Sequence, residues 1–354
     1  MQGSTAPQQR LQKITLGALA LTFVVIGLGA YTRLADAGLG CPDWPGCYGQ
    51  LSVPMKSQDV MAAEQAFPER PVEAYKAWLE MIHRYFAGTL GLVVFALAYL
   101  LSKHQPSMRN LGIGMSVLIV AQAALGMWTV TLKLMPVIVM LHLLGGFTLF
   151  CLLALTFCRL RFANAEPKLL PMRPLFNLRS FAAVATVVLV LQILLGGWTS
   201  SNYAALMCTS LPICQGEWAT HLDFANAFAF IQLGHDNYEF GVLDYGARMT
   251  IHVSHRIGAM ITTICLLFLI VQLIRSESQM LKSFAKVIGV GLAIQVWLGI
   301  ANVIFHLPLI NAVMHNLGAA LLLVTLVATN HALWSRVTTD PLSSQVSSDK
   351  ELSL

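Results

Sequence analysis

Apolar residues gather along the chain into eight long stretches, separated by polar segments that hold most of the prolines. The stretches run from Ile14 to Tyr31, Ile82 to Leu101, Leu111 to Thr131, Val137 to Phe157, Phe181 to Thr199, Ile251 to Ile274, Val287 to Phe305 and Leu309 to Leu333. A helix needs about 20 apolar residues to cross the hydrocarbon core, and each stretch approaches or exceeds that length. The expected fold class is therefore an all-α membrane protein with eight transmembrane helices.

Composition strengthens this picture. Of 354 residues, 56% are hydrophobic and 11% charged, against roughly 25% charged in soluble domains. The net charge of +5 is spread over short loops without a clustered basic patch, so no nucleic-acid partner is expected. The partner that composition does predict is the lipid bilayer. Placing the N-terminus in the cytoplasm puts fourteen of the 22 Lys and Arg residues inside, which favours cytoplasmic N- and C-termini. The segment before the first stretch reads as a short polar tail without a cleavable signal or a long transit peptide, and a bacterial inner (plasma) membrane is the expected location. In this topology the two long loops, 34–79 and 200–248, lie outside. A basic, proline-bearing linker containing Pro167, Pro171 and Pro174 joins the halves inside.

The halves echo each other. Cys208 and Cys214 follow Cys41 and Cys47 by 167 positions each, and Pro212 follows Pro45 by the same interval. Leu28-Gly29-Ala30-Tyr31-Thr32 matches Leu195-Gly196-Gly197-Trp198-Thr199. Gln122 to Gly126 matches Gln295 to Gly299, His142 matches His315, and His83-Arg84 matches His255-Arg256. A repeat with an even number of spans is parallel, so two tandem four-helix bundles related by a pseudo-twofold axis along the membrane normal are expected. The boundaries are 1–165 for the N-terminal bundle, 166–337 for the C-terminal bundle and 338–354 for a disordered cytoplasmic tail.

Against this background four histidines stand out. His83, His255 and His315 lie just after their stretches enter from outside, and His142 about one turn in, so all four share a depth near the outer face. Neutral imidazole is an axial ligand for heme iron, and two facing helices can each supply one. Interhelical hydrogen bonding and zinc ligation are the competing explanations, the latter weakened by the lack of companion ligands at zinc spacing. Gly88, Gly145, Gly146, Gly258 and Gly318 follow the histidines and would allow either a ring or a neighbouring helix to approach. Arg84 and Arg256 are placed to pair with propionates or to snorkel to the interface. Glu80 lies three residues before His83 on the same helix face, and its counterpart is His252. A carboxylate at this depth costs a few kcal/mol unless paired, which makes Glu80 either a functional group or the partner of Arg84. His252 is an alternative ligand or a supporting group. Each cysteine pair, Cys41/Cys47 and Cys208/Cys214, sits in an outside loop where oxidation is allowed, as a disulfide staple or a redox-active pair. Cys151, Cys158 and Cys265 read as apolar filler. His104, His331, His221 and His235 have no partner at ligand spacing, and His306 aligns with Lys133, so it is not a duplicated feature.

Taken together, Thr32-Arg33, Gly38-Leu-Gly-Cys41-Pro-Asp-Trp-Pro-Gly-Cys47, Glu80-x-x-His83-Arg84, His142, His255-Arg256 and His315 resemble the heme A synthase family over nearly the whole chain. That resemblance implies an oxidoreductase that converts the C8 methyl of heme O to a formyl group by successive hydroxylations, giving heme A for terminal oxidases. It implies that His83 and His142, with Arg84, hold the substrate heme O in the N-terminal half. His255 and His315, with Arg256, would hold a permanent heme b, and Glu80 would be catalytic. Partners then include heme O synthase, the terminal oxidase assembly machinery and an electron acceptor that the residues do not specify. The competing functions are a di-heme b-type electron-transfer protein and a transporter or heme carrier. The shared depth of the histidines argues against the first, and the lack of a central proline in any stretch argues against the second.

Overall fold

The computed structural model describes residues 6–162, 170–211, 214–215, 217–335 and 338–339. In chain order its helices are α1 (Ala6–Leu34), α2 (Ser57–Ala66), α3 (Ala74–His104), α4 (Arg109–Thr131) and α5 (Pro136–Phe162), then α6 (Met172–Ser201), α7 (Phe224–Ala227), α8 (Tyr245–Arg275), α9 (Gln279–Ile304) and α10 (Leu309–Trp334). All except α2 and α7 are long and apolar enough to cross a membrane, which makes eight candidate spans. The protein is an all-helical, multi-pass membrane protein. A two-residue parallel pairing joins Leu170–Pro171 to Thr338–Thr339. The linker prolines Pro171 and Pro174 fall at this pairing and in the opening turn of α6, whereas Pro167 and most of the expected tail lie outside the described residues.

Several helices begin well before the apolar stretches. Helix α1 starts at Ala6 rather than Ile14, α3 at Ala74 rather than Ile82, and α8 at Tyr245 rather than Ile251. Hydropathy marks the section inside hydrocarbon, whereas intrahelical hydrogen bonds form as well beyond it. The polar residues near the N-terminus are thus helical, and Gln8 and Gln12 both donate to Leu160 O, tying α1 to α5. The longer α3 and α8 also correct the placement of the histidines. His83 lies nine residues after the start of α3 and His255 ten residues after the start of α8, while His142 and His315 each lie six residues after the start of α5 and α10.

Helix α1 packs on α3 and α5, α3 on α4, and α4 on α5; α6 packs on α8 and α10, α8 on α9, and α9 on α10. Contacts of α10 with α1 and α5, and of α5 with α6, join the two sets. Because lipid is as apolar as leucine, close packing rather than water exclusion holds such helices together. At Gly112 an added Cβ would lie 3.2 Å from Ala98 Cα, so α3 and α4 meet at small residues. Three buried threonine hydroxyls are satisfied within their own helices: Thr15, Thr22 and Thr156 donate to the carbonyls of Leu11, Ala18 and Leu152. Each thus avoids the cost of a lone polar group in hydrocarbon.

The short connections repeat in backbone as well as in sequence. Lys133 and Leu134 after α4 have positive φ (45° and 64°), as do His306 and Leu307 after α9 (56° and 64°). Leu134 N donates to Thr129 O at 2.8 Å and Leu307 N to Asn302 O at 2.7 Å, closing matching helix ends. His306 therefore does occupy a duplicated feature. What repeats is the left-handed turn, not the side chain, so residue identity alone conceals it.

The two long connections, which read as independent loops in the sequence, are joined. Arg70 donates from Nη1 and Nη2 to the Glu239 carboxylate at 2.9 and 3.1 Å, and from Nε to Leu39 O at 2.7 Å. Tyr238 N donates to Lys133 O at 3.0 Å. Burial alone would raise the Glu239 pKa, but the hydrogen bonds and charge of Arg70 outweigh it and hold the carboxyl below its ordinary range. A depressed folded-state pKa stabilises the fold above the unfolded value, about 4.3, and that contribution is lost as pH falls through the lower folded value. Glu239→Gln is expected to lower stability by about 1–3 kcal/mol at neutral pH, with the difference from wild type vanishing in acid. Thermal unfolding in detergent across a pH series measures both.

Candidate functional site

Each of the four repeated histidines projects from one helix onto a glycine of the next. A Cβ added at Gly29 on α1 would lie 2.9 Å from His83 Cε1, and one at Gly126 on α4 would lie 3.3 Å from His142 Cε1. In the second half Gly196 on α6 faces His255 at 3.1 Å, and Gly299 on α9 faces His315 at 3.2 Å. The His83 and His142 rings lie 6.5 Å apart between centroids, nearly perpendicular at 85°.

A heme with two axial imidazoles sets a spacing that the first pair matches. Metal–imidazole bonds of about 2 Å on either side of one ion separate the ring centres by about 6 Å, close to the observed spacing. The His83, His142 and His315 rings also meet the backbone of Val25, Gln122 and Gln295, each four residues before the glycine the ring faces. The residues fit the group. Among the described residues no three His, Cys, Asp or Glu side chains gather as an ion site, so the zinc alternative has no ligand set.

The glycines singled out in the sequence divide into two kinds. Gly88 and Gly146 face open space, so neither marks a close approach. A Cβ at Gly145, Gly258 or Gly318 would instead collide with the side chain of Gln122, Gln192 or Gln295. Neither these glutamines nor the ring-facing glycines had been identified as site residues, although Gln122, Gln295 and all four ring-facing glycines lie in or beside the repeated motifs. The overlooked signal is a glutamine followed four residues later by a ring-facing glycine, Gln122/Gly126, Gln192/Gly196 and Gln295/Gly299, which places both on one helical face.

Both cysteine pairs are closed as disulfides, Cys41–Cys47 and Cys208–Cys214. Glu80 is 5% exposed. Its Oε2 accepts from Cys41 N at 2.9 Å and its Oε1 from Arg84 Nη2 at 2.5 Å. Arg84 Nη1 donates to Asp43 O at 3.0 Å and to Gly46 O. The carboxylate and guanidinium therefore clamp the first disulfide loop onto α3. Gly40 makes that approach possible, since a Cβ there would strike the backbone of Lys76.

The second half builds the same clamp with different chemistry. His252 Nδ1 lies 3.2 Å from Cys208 N, and His252 Nε2 lies 3.3 Å from Arg256 Nε. Arg256 Nη1 and Nη2 donate to Ser210 O and Cys208 O at 2.9 and 2.5 Å. His252 is a loop anchor here, in the position that Glu80 holds in the first half. A carboxylate accepts both donors at once, whereas a neutral imidazole has one acceptor nitrogen. Arg84 and Arg256, the expected propionate partners, both spend hydrogen bonds on loop carbonyls.

Eight candidate spans with paired, glycine-backed imidazoles define a membrane protein suited to holding a flat, metal-bearing ring. A family model described as cytochrome oxidase assembly protein, COX15-CtaA, matches residues 12–327, and the chain belongs to that family. It is 52% identical over 318 residues to the heme A synthase of Shewanella oneidensis, a match covering 90% of this chain and 95% of the relative. It is 25% identical over 340 residues to the heme A synthase of Rickettsia bellii strain OSU 85-389, covering 90% and 97%. The heme A synthase of Caulobacter vibrioides is 25% identical over 338 residues, covering 87% and 92%.

Gly29→Ala is expected to displace the His83 ring and lower the heme retained by the first histidine pair roughly tenfold, with Gly88→Ala unchanged. Heme content per chain, read from the absorption of the purified protein, measures the contrast.

Proposed function

We propose that this chain is a heme A synthase of the bacterial inner membrane, oxidising the C8 methyl of heme O to a formyl group by successive hydroxylations. The observation that carries the reading is the His83/His142 pair, spaced for two axial ligands, in a chain 52% identical to a named heme A synthase. In this reading the substrate heme O lies between His83 and His142, and a resident heme b between His255 and His315. The two sets of helices form tandem bundles, with both termini cytoplasmic and the heme sites toward the outer face. When bound, heme b supplies one-electron redox chemistry and passes electrons onward.

The residues of the chain contribute orientation and proton handling. The imidazoles fix the substrate between α3 and α5, and the glycine contacts leave each ring little freedom to tilt. Glu80, buried and held at both oxygens, accepts a proton or offsets positive charge as electrons leave the methyl carbon. Its two donors, Cys41 N and Arg84, hold both carboxylate oxygens in place. The clamp observed at Glu80 also has a purely structural use, since His252 occupies the same place, and that equivalence favours the second reading, a di-heme b-type electron-transfer protein.

The two readings separate when the chain is expressed beside a heme O synthase in a host without heme A. Heme A or its hydroxymethyl intermediate in the extract, identified by mass, supports the synthase. Unchanged heme O with about two heme b per chain supports electron transfer. Glu80→Gln keeps an oxygen for one of Cys41 N and Arg84, turns an amide NH2 toward the other, and cannot take a proton. It is expected to retain heme while conversion falls by about 10²-fold or more, and an undiminished yield would leave Glu80 as a loop anchor alone.

A further inference from the structure

Three of the four histidines have a glutamine beside them, and the exception falls at His83. Gln192 Nε2 lies 3.0 Å from His255 Nδ1 and donates to His255 O at 3.0 Å. The side chain rests over Gly258, one turn further along α8, where a Cβ would collide with Gln192 Oε1. Gln295 Nε2 donates to His315 O at 2.9 Å. Gln122 packs over Gly145, one turn beyond His142. In the first half the repeat interval that carries Gly29 onto Gly196 carries Val25 onto Gln192, and the interval that carries His83 onto His255 carries Phe86 onto Gly258. Val25 has no side-chain hydrogen-bonding group, so it meets the His83 ring through its backbone alone.

Ligation through Nε2 requires the proton to sit on Nδ1, which then needs an acceptor. Gln192 Oε1 is buried and has no partner, and rotation of the terminal amide exchanges oxygen for nitrogen at the ring. Turned that way, Gln192 gives up its bond to His255 O and accepts from Nδ1–H instead, a side-chain partner that His83 lacks. A group that hydrogen-bonds the second ring nitrogen fixes the orientation of the imidazole and raises its basicity, and losing such a group typically weakens metal affinity 10–100-fold.

We propose that Gln192 is a positioning residue that makes the His255 site a retaining one, and that Val25 and Phe86 in its place make the His83 site an exchanging one. The inference deepens the proposed function and rests on it. One histidine pair must release its heme as product at every turnover while the other keeps its own, and this single substitution of environment supplies the difference. It is independent of Glu80 and His252, which lie on the loop side of the same histidines.

The test uses the full-length chain in detergent with both hemes loaded, and apomyoglobin as the heme acceptor. Gln192→Met keeps the volume and removes the hydrogen bond; Val25→Gln with Phe86→Gly transplants the arrangement into the first half. Expected results are heme b transfer to apomyoglobin at least tenfold faster in Gln192→Met, with shifted low-spin electron paramagnetic resonance g-values, and slower release of heme O or heme A in the double variant. Gln192→Glu, which restores an acceptor, is expected to recover retention, with g-values displaced from wild type because its acceptor is charged. Wild-type release rates and g-values in Gln192→Met overturn the inference while leaving the synthase reading intact. A wild-type chain whose heme b is unaffected by His255→Ala overturns the assignment of the second half, and the inference with it.

Discussion

A buried imidazole that cannot be hydrated must find its partner within the protein, and it can do so only if the facing helix stands aside. That constraint organises this molecule. Glycine at four positions lets the helices close to within contact of a histidine ring, and alanine would already intrude at each of them. Three of the four rings then meet the backbone of the residue four places before that glycine, which spares each the roughly 1–3 kcal/mol of an unpaired buried polar group.

The deviations from the repeat are concentrated around His83 and His255. On the loop side a carboxylate in one half stands where an imidazole stands in the other, both anchoring a disulfide-closed loop through an arginine four residues along. On the helix side valine stands where glutamine stands. Matching sequence motifs thus present two chemically different environments. In the function proposed above, one environment handles a substrate that must react and leave, the other a group that stays.

Much of this was legible in the chain. Spans, repeat and the four histidines follow from hydropathy and from spacing constant to a few residues, because both signals are local and periodic. The glycine contacts were harder to see, since each lies on a different helix from its histidine and only the packing joins them. Glu80 was visible as an anomaly of charge in an apolar setting, but not as a clamp on Cys41, because a loop's path carries no periodicity. The union of the long connections through Arg70 and Glu239 was invisible for the same reason: the pair is 169 residues apart, and nothing in either loop announces the other. Helix starts were misplaced because hydropathy senses hydrocarbon, not helix.

The paired left-handed residues that end α4 and α9 have a consequence for anyone wishing to modify the molecule. Gly126 and His142 lie on opposite sides of one such turn, as do Gly299 and His315, so the turn sets the phase of one helix against the other. An added residue there would lengthen the connection by up to about 3.3–3.6 Å and release the phase between the helices, carrying the ring off its glycine. Fluorescent labels, epitope insertions and protease sites therefore belong elsewhere, in exposed stretches such as 51–52. A change in length at either turn would therefore move a histidine ring.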